Sequence, residues 1–246
     1  MITRYANPQR FTALARWLTP VLGVATLICF AIGLYLSLIA SPPDAEHGET
    51  IRMMYVHVPA AWVSMAAYTS LAVASLFAFV WRHPLADLAA RSLALPGAAF
   101  TALALITGSI WGKTDWGTWW EWDGRMTSVL ILLFIYIGYM AIWRVVADRK
   151  RAARLAAIVA MVGWINIPII KFSVDWWNSL HQSATVSAPG APGLAAEFLA
   201  PLLTMAIAYS LLLGWLVLRG MQGEIAAARL ARRPAPAATA RVEAMP

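Results

Sequence analysis

The chain has 246 residues, of which 61% are hydrophobic and only 13% are charged, with a formal net charge of +7 and a mean hydropathy of +0.65. Water-soluble domains carry about 25% charged residues. Because the deficit here is concentrated in long uncharged segments, a soluble fold is excluded. The single cysteine, Cys29, and the lack of a C-x-x-C pair exclude an internal disulfide and dithiol redox chemistry.

Six segments without Asp, Glu, Lys or Arg have the length expected of transmembrane helices, each of which needs about 20 mostly apolar residues. In chain order they are 17–43, 53–81, 92–112, 126–143, 155–170 and 198–218. The first is longer than the apolar region of a signal peptide, which indicates a retained helix. The fifth is short and contains Asn166 and Pro168, so we expect it to run on toward Phe172 or Val174, with Lys171 reaching the interface. The predicted fold class is therefore all-α, a polytopic integral membrane protein with six transmembrane helices.

The charged residues are divided unevenly between the two sides of the membrane. Six spans place both termini on one side, where fifteen of the nineteen Lys and Arg residues fall, whereas eight of the twelve acidic residues fall on the other side. Since basic residues accumulate on the cytoplasmic side, we expect both termini to be cytoplasmic. The basic balance reports this orientation and gives no reason to infer a nucleic-acid partner. The arginines of the C-terminal tail are expected to contact anionic membrane lipid, with a cytoplasmic ATPase as the alternative.

The predicted outer loop between the third and fourth spans is unusually rich in tryptophan. Five of the thirteen tryptophans lie within twelve positions, namely Trp111, Trp116, Trp119, Trp120 and Trp122. An aromatic belt at the interface is the ordinary interpretation, but a belt predicts similar enrichment at both faces, and the inner face has one tryptophan at each of four helix ends. The spacing of Trp116, Trp119 or Trp120, and Asp123 predicts a short helix along the membrane surface that presents these side chains on one face.

A surface of several indoles beside Asp123 and Arg125 suits a large, planar, apolar ligand with a charged rim. A porphyrin fits this description, with Arg125 pairing with its propionates. His57, near the outer end of the second span, and His181, in the last outer loop, are predicted on the same side as this surface. Each alone is more often a hydrogen-bonded structural histidine. Two of them beside an aromatic surface are typical of axial ligands on opposite sides of a haem iron, an arrangement that suits a carrier.

Several other functions are disfavoured by the sequence. His47 and His83 are interpreted as residues without a role in the site. The uncharged spans lack the usual parts of a proton relay or voltage sensor, and the chain has no Walker A or hydrolase motif. Two alternatives remain open. One is a membrane b-type cytochrome that transfers electrons across the bilayer, and the other is a permease for small solutes with the tryptophan loop as a gate.

Three segments resemble one known family. Residues 116–127 read WGTWWEWDGRMT, which is similar to the WWD signature W-G-x-x-W-x-W-D-x-R-x-T of haem-handling proteins in cytochrome c maturation. The segments YVHVPAAW around His57 and WWNSLHQ around His181 resemble the two histidine regions of the CcmC family. The resemblance extends over all six spans and ends near Gly220, and every motif position expected to bind is present.

The resemblance implies a scaffold that binds and transfers haem and can assist covalent loading of a chaperone, not an enzyme. CcmC-like proteins hold non-covalent haem b at the periplasmic face of the bacterial inner membrane and pass it to the haem chaperone CcmE. Their implied partners are the small membrane subunit CcmD and the ABC-type pair CcmA and CcmB. Carried onto this sequence, the axial ligands of the iron are His57 and His181. The residues of the WWD loop, 111–127, that contact the macrocycle are Trp116, Gly117, Trp119, Trp120, Trp122, Asp123 and Arg125.

The chain is predicted to divide near Gly220. Residues 1–220 form the six-helix membrane domain, and residues 221–246 form a basic cytoplasmic tail rich in Ala and Pro. Residues 221–233 are expected to continue the sixth helix as a basic surface helix, and residues 234–246 are predicted to be disordered.

Overall fold

In a computed structural model of the protein, which describes residues 7–177, 179–181 and 193–231, seven α-helices form six segments long and apolar enough to cross a membrane. The helices are α1 (Pro8–Tyr35), α2 (Met54–Trp81), α3 (Pro84–Trp116), α4 (Gly124–Val145), α5 (Arg149–Gly163), α6 (Asn166–Trp176) and α7 (Ala196–Ala231). A π-helical turn, Leu36–Ala40, extends α1, and a 3₁₀ turn, Glu49–Met53, precedes α2. The prediction of an all-α protein with six spans is confirmed.

Helices α3, α4 and α7 are longer than the uncharged segments from which they were predicted. Helix α3 begins at Pro84, not at residue 92, and its first turns hold Asp87 and Arg91 on one face. These two side chains pair at 3.7 Å, and Arg91 also pairs with Glu224 of α7 at 3.0 Å. Such pairs allow the helices to continue past the apolar core of the membrane. A prediction that ends each span at its first charged residue therefore locates the span but not the ends of the helix.

The fifth span consists of two helices, α5 and α6, that meet at Trp164 and Ile165. Pro168 lies in the first turn of α6, where a missing N–H is tolerated. The break is bound to the neighbouring helices, because Asn166 Nδ2 donates to the carbonyl of Ser128 at 2.8 Å and the Tyr68 hydroxyl donates to that of Ala160 at 3.2 Å. Helix α6 runs to Trp176, so the expected extension of this span beyond residue 170 is confirmed.

Helix α2 is central in the bundle and contacts α3, α5 and α7. Buried side chains of α2, α3, α4 and α5 form the main core, in which Tyr68 and Tyr136 pack edge to face with ring centroids 5.0 Å apart. Helix α1 is peripheral, since it packs chiefly on α7 and leaves many large apolar side chains exposed. In a membrane protein these exposed residues face lipid.

The predicted surface helix of the tryptophan loop is wrong. Trp116 is the last residue of α3, and Gly117 ends that helix in the left-handed conformation with φ 77°. The next helix, α4, begins at Gly124 because the Asp123 side chain accepts the N–H of Met126 at 2.7 Å. Residues 117–123 are left as an irregular loop, so Trp116, Trp120 and Asp123 do not share a helix face.

The sixth span continues into the predicted tail. Helix α7 runs without interruption to Ala231, as expected for residues 221–231. Met221 and Ile225 are buried against Leu85 of α3, which holds this extension on the bundle. The expected continuation of the helix over residues 232–233 and the predicted disorder of residues 234–246 lie outside the described part of the chain.

Candidate functional site

His57 and His181, which are distant in the sequence, line the same cavity of about 540 Å³. Its wall comes from α2, α3, α4 and α6, with Leu202 added from α7, and most of the side chains are apolar. Mostly apolar cavities of roughly 300–1,000 Å³ with a few placed polar groups are typical ligand sites. We call the end of the bundle that carries this cavity and the 117–123 loop the site end.

His57 is held by α3. Its Nδ1 lies 3.0 Å from the carbonyl oxygen of Ala104 and 3.1 Å from the hydroxyl of Thr107. A carbonyl only accepts, so Nδ1 of the neutral ring carries the hydrogen and Nε2 keeps its lone pair. Gly108 leaves room for the ring, because a Cβ atom there would lie 2.8 Å from His57 Cε1. The imidazole is therefore oriented with Nε2 available to a ligand in the cavity.

His181 is held by Asp123, the residue that caps α4. His181 Nδ1 lies 2.7 Å from Asp123 Oδ2, which also accepts a hydrogen bond from the Ser179 hydroxyl. Burial lowers the pKa of His181 below its ordinary value, although Asp123 opposes this shift. Burial by itself would raise the pKa of Asp123, but the hydrogen bonds from Ser179 and the Met126 N–H, and the interactions with His181, lower it overall. A neutral imidazole thus donates Nδ1–H to a carboxylate and again keeps the Nε2 lone pair.

Aromatic rings stand beside both histidines. Trp116 packs edge-on against His181 with ring centroids 4.8 Å apart, and Trp111 packs edge-on against His57 at 5.9 Å. Both indoles line the cavity, as does Trp62 of α2. A ligand in this cavity would therefore meet aromatic surfaces close to each imidazole.

Two cationic residues, Arg125 and Lys171, also line the cavity. Arg125 lies in the first turn of α4, two residues after Asp123, and Lys171 lies on α6. Guanidinium and ammonium groups at the edge of an apolar cavity favour a ligand with carboxylates. Lys171 was predicted to reach the membrane interface, and it is both exposed and part of the cavity wall.

The structure brings together only part of the predicted site. The cavity is lined by His57, His181, Trp116 and Arg125. Asp123 does not line it but is hydrogen-bonded to His181. The other predicted residues do not line it, namely Gly117, Trp119, Trp120 and Trp122. Trp119 and Trp122 are 57% and 75% exposed, so their indoles face outward from the site end.

Several residues of the site were not predicted from the sequence. Thr107 and Gly108 lie on the face of α3 that meets His57, together with Ala104. Trp111, which was predicted only as part of the tryptophan cluster, lies on the same face. Their helical spacing was visible, but nothing in the sequence says which helix they face. Ser179 was likewise missed, since its contact with Asp123 joins two distant loops.

The remaining histidines lie outside the cavity wall. His47 Nδ1 is 3.0 Å from Asp115 Oδ2, and Asp115 itself lines the cavity, so His47 is close to the site. His83 precedes α3 at the opposite end of the bundle. The four histidines therefore differ in position as well as in environment.

Comparisons with known proteins agree with one another. The family described as CcmC, heme exporter protein C, matches residues 1–235. Heme exporter protein C of Bradyrhizobium diazoefficiens is 56% identical over 220 residues, which cover 89% of this chain and 83% of that protein. Heme exporter protein C of Escherichia coli strain K12 is 45% identical over 180 residues, 73% of this chain and 74% of that protein.

A ccmC-like mitochondrial protein of Marchantia polymorpha, provisionally named for cytochrome c biosynthesis, is 48% identical over 157 residues, 64% of this chain and 66% of that protein. The family match spans all six apolar helices and includes both histidines and the tryptophan-rich loop. The chain belongs to the CcmC family of heme exporter proteins.

Proposed function

We propose that this protein binds haem b non-covalently at the periplasmic face of the bacterial inner membrane and transfers it to the haem chaperone CcmE. His57 and His181 are the proposed axial ligands of the iron. The observation that carries this proposal is that both imidazoles line one cavity with Nδ1 engaged by an oxygen, which leaves Nε2 as a lone-pair donor on each. Metal-binding histidines almost always donate their other N–H in this way.

The rest of the cavity matches the other parts of a haem. Apolar side chains and the rings of Trp62, Trp111 and Trp116 would contact the macrocycle, whose large flat faces gain from burial against aromatic rings. Arg125 and Lys171 are proposed to hold the two propionates. Haem is the cargo in this proposal, and the protein contributes binding, orientation and release.

The tryptophans outside the cavity are proposed to serve the transfer step. Trp119, Trp120 and Trp122, with Gly117, belong to the same loop as Asp123 but do not line the cavity. They lie at the site end, where CcmE would have to reach the haem. We propose that they contact the outer part of the haem or the chaperone during transfer, with the membrane subunits CcmD, CcmA and CcmB as further partners of the complex.

Replacing Trp119 and Trp122 together by alanine is expected to reduce loading of CcmE severalfold while leaving the haem absorption of the purified protein nearly unchanged. The reason is that these indoles are outside the cavity that holds the proposed ligands. Covalent haem on CcmE, measured after co-expression, checks the first part, and the Soret band of the purified variant checks the second. Trp81→Ala is the matched control, because Trp81 is 63% exposed and ends α2 far from the site end. Unchanged loading in the double variant would indicate that Trp119 and Trp122 only anchor the loop at the membrane interface.

The proposed orientation places the site end in the periplasm, because the basic residues concentrate at the other end of the helices. In a Cys29→Ser background, Glu121→Cys in the 117–123 loop is expected to react with a membrane-impermeant maleimide in intact spheroplasts. Lys150→Cys, in the first turn of α5, is the matched position and is expected to react only after permeabilisation. The reverse pattern of labelling would contradict a periplasmic haem site.

A further inference from the structure

The hydrogen bonds that orient the two imidazoles are of different kinds. His181 Nδ1 is 2.7 Å from the carboxylate of Asp123, whereas His57 Nδ1 has two neutral partners, Ala104 O at 3.0 Å and Thr107 Oγ1 at 3.1 Å. A hydrogen bond to an ionised group is shorter and roughly twice as strong as a neutral one. A carboxylate acceptor also raises the basicity of the imidazole that donates to it, and therefore its strength as a metal ligand.

Asp123 is fixed in the position that this role requires. Its side chain is only 2% exposed, its Oδ1 accepts the N–H of Met126 at 2.7 Å, and its Oδ2 faces His181 and Ser179. The capping bond prevents the carboxylate from rotating away from the imidazole. His181 is thus tied to the start of α4 through a charged group that is itself held on both oxygens.

The two acceptors of His57 also take part in other hydrogen bonds. The Thr107 hydroxyl donates to the carbonyl of Leu103 at 2.7 Å, and it also lies 3.3 Å from the carbonyl of Ala104. Both oxygens near His57 Nδ1 therefore take part in bonds within α3. They fix the tautomer and the ring orientation of His57, but because they are neutral they polarise the ring less than a carboxylate does.

We infer that the two histidines are unequal ligands: Asp123 makes His181 the strong, retained ligand, and His57, oriented only by neutral acceptors on α3, is the weak ligand that leaves first. This inference rests on the proposed function, because it concerns the same iron. Asp123 acts through His181 and is a positioning residue, not a ligand.

The inference implies an order for haem release. The bond that breaks first is the one between the iron and Nε2 of His57, and its electron pair stays on the imidazole. The vacated coordination position is then open to a ligand from the haem acceptor, without a change in iron oxidation state. His181 is released afterwards, so the haem is never without a protein ligand.

Matched variants of the two supporting groups test this inference. Asp123→Asn keeps the cap of α4, since Asn and Asp are about equally good at that position. It replaces the carboxylate oxygen that accepts from His181 Nδ1 by an uncharged amide NH2, which donates and cannot accept. Thr107→Val removes the neutral hydroxyl that contacts His57 Nδ1, with little change in side-chain shape. We expect Asp123→Asn to lower haem affinity about 10- to 100-fold, the usual loss when a hydrogen-bond partner of a ligand is changed. Thr107→Val is expected to lower it only a few fold.

The reduction potential of the bound haem is a second readout. We expect Asp123→Asn to raise it, whereas a general loss of structure would not raise it. A polarised imidazole favours ferric iron, so Asp123→Asn is expected to raise the potential, by about 59 mV for each tenfold loss of that preference. The Thr107→Val potential is expected to stay close to that of wild type. Ser179→Ala removes a donor that competes with His181 for the same oxygen of Asp123 and leaves the helix cap intact, so it is expected to shift the potential in the direction opposite to Asp123→Asn.

A second pair of variants separates the ligands themselves. After purification, His57→Ala is expected to retain several times more haem than His181→Ala, and added free imidazole is expected to restore its low-spin spectrum. Equal haem retention by these two variants, or equal effects of Asp123→Asn and Thr107→Val, would overturn the inference. A wild-type protein that binds no haem would instead overturn the proposed function, and the inference with it.

Discussion

Alanine at either His57 or His181 is expected to abolish the low-spin haem spectrum of the purified protein and to stop the loading of CcmE. Each imidazole supplies one of the two proposed axial bonds from opposite parts of the chain, α2 and the segment after α6. With one bond lost, the iron becomes five-coordinate and high-spin, whichever ligand remains. Absorption spectra and pyridine-haemochrome analysis of the purified variants measure the spin state and the amount of haem.

The other two histidines provide the controls. His47→Ala and His83→Ala are expected to keep the wild-type spectrum, because neither residue lines the cavity. His47 is the stricter control, since it binds Asp115 at the edge of the site and its loss changes the surroundings but not the proposed ligands. Equal tolerance at all four positions would contradict axial ligation. A low-spin spectrum that survives His181→Ala would favour a membrane b-type cytochrome with ligands elsewhere.

The paired histidines were predictable to a limited extent. The number of spans and the distribution of charge place His57 and His181 on the same side of the membrane, and that is all the sequence can establish about their separation. Their meeting in one cavity depends on α6 continuing to Trp176 and on Asp123 reaching His181 across two loops. Contacts of this kind are set by the packing of helices, which periodicity along a single chain does not report.

The tryptophan loop shows how a helical pattern can mislead. The spacing of Trp116, Trp120 and Asp123 is compatible with one helix face, but Gly117 adopts a left-handed conformation and stops α3. Trp116 therefore belongs to a transmembrane helix and lines the cavity, whereas Trp119 and Trp122 lie on the irregular loop and are exposed. Gly117 therefore separates residues that were predicted to act together.

The contact of the small residues of α3 with His57 could not be predicted from the sequence, for a different reason. A glycine in an apolar span is common, because neighbouring helices approach closely at such positions. Gly108 gains its meaning only from the ring of His57, which occupies the space that a side chain would need. The sequence contains the residue, and only the packing of α2 on α3 shows its role.

Gly108→Ala is expected to remove most of the low-spin haem although both proposed ligands are still present. The added Cβ atom would lie 2.8 Å from His57 Cε1 and 3.3 Å from its Nδ1, both too close for packed atoms. The ring must move, which breaks its hydrogen bond to the carbonyl of Ala104 and displaces Nε2, the proposed iron ligand. We therefore expect the spectrum of Gly108→Ala to resemble that of His57→Ala.

Helix propensity gives this prediction a sharp control. Alanine is favoured over glycine in a helix by about 1 kcal/mol, so weakening of α3 cannot account for a loss of haem in Gly108→Ala. Gly138→Ala in α4 makes the same chemical change at a position where the new Cβ atom meets nothing within 4 Å, and it is expected to keep the full spectrum. If Gly108→Ala accumulates normally and keeps wild-type low-spin haem, the His57 ring does not need its observed position against α3, and its assignment as an axial ligand loses its structural support.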